Sequence, residues 1–252
     1  RRAEFLQTAQ TKPERPCPQA ASKAQQILAE VEAEPGAFLP TAVCQQLLTA
    51  YHISVPGSGL ATTADEAVEI AQQVGLSVAL KIASGDVPHK LDVGGGVLNV
   101  RTETAVAEAF TQIMNDVQTA VPQAKLAGVL VQPMIPDGQE VIVGVVRDPQ
   151  FGPVLMFGSG GVEVEGLNDV AFALAPLTQT EAESLLKNTW AGRKLAGYRN
   201  VAAGDETAVL QTILRLGQLA ADCPQLAEIE INPLRVLPTT ALTLDVRARL
   251  AE

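Results

Sequence analysis

Between residues 127 and 158 the chain carries three apolar, strand-like segments in close succession, AGVLVQPM, EVIVGVV and GPVLMFG. Connections this short suit antiparallel neighbours, because a parallel crossover needs about a dozen residues or more. The near-continuous apolar runs read as strands covered on both faces. A glycine-rich turn, GSGGVEVEG, leads to DVAFALAPL, and the chain closes with AEIEINPLRVL, a PTT turn and ALTLDVRARL. Helical patterns segregate from this block, so the fold class expected is α+β in two lobes.

Upstream, residues 1–19 are polar and hold Pro13, Pro16 and Pro18, the composition of a linker. Ala24, Ile27, Leu28 and Val31 make a helical stripe over 20–34 that EPG ends. A second helix is expected to start near Pro40 and run through Val43, Leu47 and Tyr51, followed by a short strand at 53–55. TADE at 63–66 has capping-box form ahead of the face Ala67, Ile70, Ala71 and Val74, which Gly75 closes. SVALKIA and GVLNVRT are strands flanking a glycine-rich loop, and Val106, Phe110, Ile113 and Val117 mark a helix to about Ala120. TQTE at 178–181 opens one further helix, and Val209, Ile213, Leu216 and Ala220 line another. The expected division is 1–36 as linker and helix from a preceding domain, 37–130 as an N-terminal lobe and 131–252 as a C-terminal lobe.

Composition excludes several function classes. Hydrophobic residues make up 47% and aromatics only 4%, so the core is built from Ala, Val, Leu and Ile. Eighteen basic against 28 acidic residues leave a net charge of −10. Nucleic acid and anionic membrane both need a net basic face, so neither is an expected partner. A small anionic ligand stays open, because a few local cations and backbone amides suffice for a phosphate. Cys17, Cys44 and Cys223 lie far apart without a CxxC pair and read as reduced, buried thiols, which suits a cytoplasmic location. No apolar run reaches about 18 residues, so no membrane-spanning helix is expected. The first residues lack an apolar signal core and an initiator methionine, and the chain is expected to be a piece of something longer.

The strongest local argument for chemistry comes from the last hairpin. In EIEINPL, Glu230 and Asn232 alternate with Ile229 and Ile231, and in LTLDV, Asp245 sits between Leu244 and Val246. A turn centred between Pro238 and Thr239 pairs residues whose numbers sum to 477, setting Asn232 against Asp245 and Glu230 against Arg247. Two readings fit this convergence. One is a solvated sheet face with a Glu230–Arg247 ion pair. The other is a site for a hard cation such as Mg²⁺, which takes one or two carboxylates together with phosphate and water oxygens.

The segment KIASGDVPHKLDVGGGVLNV holds the second candidate. Lys81 sits on the entering strand, and Gly94, Gly95 and Gly96 let backbone amides approach an anion without Cβ obstruction. No GK[ST] follows and no helix opens on the glycines, so neither a Walker loop nor a dinucleotide fingerprint is present. A flap over phosphates and a plain flexible hairpin with Lys81 in solvent both fit. His89, mid-loop, is either an idle surface imidazole or a nucleophile for a phosphoryl group. His52 reads as a helix-end cap. In VQPMIPDGQE, main-chain groups around Gln132 and Met134 suit a flat heteroaromatic base and Glu140 suits a sugar diol, or the segment merely joins two strands.

Taken in order, ALKIASGDVPHKLDVGGGVLNV, GVLVQPMIPDGQEVIVGVVRDPQFGPVLMFGSGGVEVE, NDVAFALAPL and EIEINPL with LDVRARL resemble the ATP-grasp domain of NDP-forming acyl-CoA synthetases. That group includes ADP-forming acetate–CoA ligases, with succinyl-CoA synthetase β subunits as more distant kin, and the resemblance spans roughly residues 38–250. It implies two α/β lobes clasping ATP or ADP. Lys81 would then contact the phosphates, Gly94 to Gly96 form the flap, Gln132 and Met134 the adenine hinge, and Glu140 the ribose contact. Asn232 and Asp245 would hold Mg²⁺, His89 would relay a phosphoryl group, and Glu230 would steady a histidine. Gly96 departs from the apolar residue usual at that point and implies a looser loop. The resemblance further implies an upstream CoA-binding domain or subunit carrying its own phosphorylated histidine. The activity expected is ligase chemistry, with a regulatory synthetase-like domain fused to a downstream GNAT lysine acetyltransferase as the alternative.

Overall fold

A computed structural model describes residues 13, 15, 17, 19–87, 90–161 and 169–252. They divide into two compact units. One comprises residues up to Leu39 with Val43–Val55 and Asp137–Glu252; the other comprises Pro40–Ala42 with Pro56–Pro136. The unit change after the strand-rich block's first strand falls at residues 136 and 137, six positions beyond the sequence-based boundary of 130 (136 − 130).

Helix α1 (Ala20–Ala29) and, from Val43 onward, helix α2 (Thr41–Ala50) belong to the larger unit's core, where Cys17, Ala20, Ala24, Leu28, Leu47 and Leu48 are buried together. Of the segment 1–36 expected as linker and helix from a preceding domain, Cys17 and α1 therefore pack within this unit. The apolar stripe noted in the sequence buries against this unit itself, and α1 stops at Ala29 rather than running to EPG. Residues 53–55 form no strand: the Ile53 amide bonds back to the Leu48 carbonyl, and Ser54 offers its carbonyl to Thr243.

The smaller unit is a four-stranded antiparallel sheet in the order β1-β4-β2-β3, from β1 (Gly59–Ala61), β2 (Val78–Ala83), β3 (Gly96–Val100) and β4 (Gly128–Pro133). Helices α3 (Ala64–Val74) and α4 (Glu103–Ala120) cover one face. Val78, Leu80, Ile82, Val129 and Val131 from the strands pack on Ala67, Ala71, Val106, Ile113 and Val117 from the helices, all buried. Thr63 caps α3 by accepting from the Glu66 amide, while the Glu66 carboxylate reaches one residue further back than a capping box requires, to Thr62. Thr102 caps α4 similarly, through the Ala105 amide.

The larger unit carries a six-stranded sheet in the order β10-β8-β5-β6-β7, with β9 added on β8. Its strands are β5 (Gln139–Asp148), β6 (Gly152–Ser159), β7 (Val170–Leu174), β8 (Leu226–Leu237), β9 (Thr240–Thr243) and β10 (Val246–Leu250). Helices α5 (Gln179–Lys187), α6 (Trp190–Lys194) and α7 (Glu206–Asp222) complete it, and α5 opens with a full capping box of Thr178 and Glu181. Val143, Val145, Leu155, Phe157, Ile229 and Ile231 bury one sheet face against Ile213 and Leu216 of α7. The opposite face is less covered than the apolar runs implied: Val146, Phe172 and Leu174 remain 57%, 62% and 57% exposed. Within this unit the helices pack on one face, so the alternation of β7 separates inward alanines from outward large side chains.

Candidate functional site

In the smaller unit, Lys81 of β2 stands across from Gly96 of β3 and Leu130 of β4. Val78, Leu80 and Ile82 turn into the helix-covered core, so strand alternation sends Lys81 to the other face, the face shared by Leu130 and Gln132. The glycine segment joins this sheet as well, because Ile82 donates its amide to the Gly95 carbonyl at 2.7 Å. Gly94 has φ +71°, and a Cβ there would lie 3.0 Å from Cβ of Asp116 on α4. Any other residue at that position is strained by its backbone and crowded by the helix. Lys81, the triple glycine and the buried Gln132 are thus placed on one sheet. The Met134 amide donates to the Ser77 carbonyl at 2.9 Å. His89 lies outside the described residues.

In the larger unit the last hairpin has the register read from its turn. Leu237 pairs with Thr240, Ile231 with Val246 and Glu230 with Arg247. Between the two ladders the Asn232 amide donates to the Asp245 carbonyl at 3.1 Å, and the Leu244 amide donates to the Pro233 carbonyl at 3.0 Å. Asn232 and Asp245 are therefore backbone neighbours. On its other side β8 meets β5 with a bulge: Ile231 faces Val143 and Leu234 faces Val141, so Asn232 and Pro233 together oppose Ile142. Bulges of this kind re-aim side chains and interrupt pairing next to binding sites.

The side-chain oxygens at this point are already oriented. Asn232 Oδ1 accepts from the Gly161 amide at 3.1 Å, and Asp245 Oδ1 accepts from the Val246 amide at 3.0 Å. Glu230 Oε2 takes Nη2 of Arg247 at 3.2 Å, so the ion pair of the blander reading is present. Among the described residues no group of three or more His, Cys, Asp or Glu side chains is clustered for metal binding. A donor set of one amide oxygen and one carboxylate fits a cation that takes its other ligands from phosphate and water, as Mg²⁺ does. It does not fit a caged Ca²⁺ or Zn²⁺.

Glu140 sits directly opposite Arg235 on β8, and Arg235 Nη2 donates to its Oε1 at 2.6 Å. The sequence reading had Glu140 but missed Arg235, and it missed Gly161 next to Asn232. Asp169 was also overlooked. Its two carboxylate oxygens accept from the Trp190 and Ala191 amides at 2.6 and 2.7 Å, holding the start of α6, and its Oδ2 accepts from the Ser159 hydroxyl. Burial works to raise the Asp169 pKa, but the amide and hydroxyl donors and the Arg193 charge outweigh it and leave it lowered.

These elements have counterparts among known proteins. The profile of the ATP-grasp domain matches residues 30–250. The chain belongs to the ATP-grasp family. This ATP-grasp chain is similar to acetate–CoA ligase (ADP-forming) I of Archaeoglobus fulgidus, at 42% identity over 230 residues, covering 91% of the chain and 33% of the ligase. It thus spans about a third of that relative. It is also similar to the β subunit of acetate–CoA ligase (ADP-forming) I of Pyrococcus furiosus, at 38% identity over 226 residues, covering 90% of the chain and 97% of the subunit. Among solved structures, a chain of the dinucleotide-forming acetyl-coenzyme A synthetase 1 of Ca. Korarchaeum cryptofilum, in complex with coenzyme A and Ca-AMPCP, superposes with a TM-score of 0.85 at 37% identity, covering 91% of this chain and 99% of that one. The same synthetase with coenzyme A and Mg-AMPPCP, its phosphohistidine segment pointing towards the nucleotide site, gives a TM-score of 0.78 at 34% identity, covering 90% and 99%.

Proposed function

We propose that this ATP-grasp chain is the nucleotide-binding, phosphoryl-transferring part of an ADP-forming acyl-CoA synthetase. The observation that carries the reading is the match to a separate β subunit of an acetate–CoA ligase over 97% of that subunit. The whole reaction is acid, CoA and ATP giving acyl-CoA, ADP and phosphate, and it needs a CoA-binding part in the same chain or as a partner subunit. The relatives found are ligases, so the acetyltransferase-fusion alternative has no observation behind it.

Within this reading Lys81 and the amides of Gly94 to Gly96 bind the phosphates of ATP or ADP, Gln132 and Met134 flank the adenine, and Glu140 accepts from the ribose hydroxyls. Backbone amides and a lysine are well matched to phosphate because they neutralise charge without bulk. Asn232 Oδ1 and the Asp245 carboxylate would hold Mg²⁺, which when bound draws charge from the phosphate oxygens. His89 is the phosphoryl relay. Its ring nitrogen forms a P–N bond as the P–O bond to the β-phosphate breaks, and ADP leaves; the phosphoryl group then passes to a histidine of the CoA-binding part. Glu230 steadies a histidine through Oε1, its Oε2 being engaged by Arg247.

The test is phosphoryl labelling. With γ-³²P-ATP and Mg²⁺ the chain should acquire acid-labile, base-stable label that His89→Asn abolishes and that ADP discharges. Absence of label on the wild-type chain, with or without a CoA-binding subunit, contradicts the proposal.

A further inference from the structure

We infer that Arg235 and Gly161 are positioning residues that fix the Glu140 carboxylate for a nucleotide's ribose, an inference that rests on the nucleotide-binding reading above. Two independent constraints act on this one side chain. Arg235 lies across the strand from it and binds Oε1 at 2.6 Å, with only 15% of the arginine side chain and 30% of the glutamate side chain exposed. The fully exposed Asp137 carboxylate stands 3.6 Å from Nη1 of the same guanidinium. At the other oxygen, Oε2 occupies the space that a Cβ on Gly161 would take. Gly161 has φ +63°, a conformation that favours glycine on its own account.

The same glycine reaches the proposed metal ligand. Its amide donates to Asn232 Oδ1 at 3.1 Å. The preceding Gly160 amide donates to the Glu140 carbonyl at 3.1 Å, and a Cβ on Gly160 would come 2.5 Å from the Val141 carbonyl carbon. Two glycines in succession therefore let the end of β6 lie flat on β5. One short turn then serves both ends of a nucleotide: its amide orients the oxygen assigned to the cation, and its missing side chain leaves room for the carboxylate assigned to the ribose. A carboxylate fixed at one oxygen by a guanidinium accepts hydroxyl protons along a defined direction, which lowers the entropy lost on binding a diol.

Binding of Mg-ATP and Mg-2′,3′-dideoxy-ATP, measured by titration calorimetry on the chain, tests this. The wild-type chain should prefer ATP by about tenfold to a hundredfold, the size of a hydrogen bond to a charged group. Arg235→Met should lower ATP affinity to nearly that of the dideoxy analogue while leaving the analogue's own affinity unchanged. Glu140→Gln combined with Arg235→Met should bind ATP no worse than Glu140→Gln alone. Arg235→Lys, a second variant that keeps one donor, should recover part of the preference, and Gly161→Ala should lose it. Equal weakening of both nucleotides by Arg235→Met and by Arg235→Lys, or an undiminished ATP preference, overturns the inference while the nucleotide site stands. Failure of the wild-type chain to bind either nucleotide overturns both together.

Discussion

Replacing Gln218 by leucine tests whether the segment before α1 is part of this fold. Gln218 on α7 is 1% exposed. Its Oε1 accepts from the Cys17 amide at 3.0 Å, and its Nε2 donates to the Cys17 carbonyl at 2.8 Å and to Asp222 Oδ2 at 3.1 Å. Asp222 in turn takes the Tyr51 hydroxyl at 3.1 Å and an Arg15 guanidinium nitrogen at 3.3 Å. Leucine fills similar space but orphans the buried Cys17 amide, whereas the Cys17 carbonyl keeps the Ala20 amide at 3.2 Å; an orphaned buried group costs about 1–3 kcal/mol. Burial of the new methyl groups offsets part of this, leaving a net loss of about 1–2 kcal/mol. For a chain of this size that is a fall in melting temperature of about 2–8 °C by calorimetry. The decisive comparison is a cycle with deletion of residues 1–18. In the shortened chain Cys17 is gone, so Gln218→Leu should cost less than about 0.5 kcal/mol. A full-length variant that melts with the wild type, or one equally destabilised in both backgrounds, would refute the reasoning.

Two further outcomes follow from groups whose ionisation the fold perturbs. The Asp169 pKa is lowered in the fold, so the stability it supplies is fully present above the ordinary carboxylate value of about 3.9 and is lost as pH falls through the lower folded value. Asp169→Asn should therefore flatten the acid limb of the stability–pH curve and cost about 1–3 kcal/mol at pH 7, read from urea unfolding; an unchanged acid limb counts against it. Cys223 is pushed up to about 11 by burial and then by the Asp222 charge, so at pH 8 its thiol stays protonated and should resist iodoacetamide in the native chain yet react once denatured, as peptide mapping would show. Rapid native labelling of Cys223 would contradict the buried placement.

The hairpin was legible because two strands of alternating polarity flank a Pro-Thr turn that admits one register, and that register carries Asn232 to Asp245. The helices were legible where threonine caps and a 3.6-residue apolar stripe coincide, as at Thr63, Thr102 and Thr178. Arg235 was hidden by the bulge. Strict alternation from the buried Ile231 would turn residue 235 inward, but the extra residue at 232–233 resets the phase, so Leu234 is the buried one and Arg235 meets Glu140. Gly161 was read only as part of a glycine-rich turn, because the Cβ clash that requires it comes from a residue 21 positions earlier in the chain (161 − 140). The home of α1 was likewise invisible: a stripe of alanines and leucines states that a helix packs, and the partner that receives it, α7, lies far along the sequence. Short-range rules recover elements and registers, while these contacts depend on which faces the sheet order brings together.

The central claim is that the paired oxygens of Asn232 and Asp245 hold the cation that accompanies a bound nucleotide. Titration of ATP into the chain with and without Mg²⁺, repeated on the Asn232→Ala/Asp245→Ala variant, tests it most directly. The account predicts tighter ATP binding with Mg²⁺ in the wild type and loss of that magnesium-dependent gain in the variant. A variant that keeps the whole gain, or a wild-type chain that does not bind ATP at all, would contradict it.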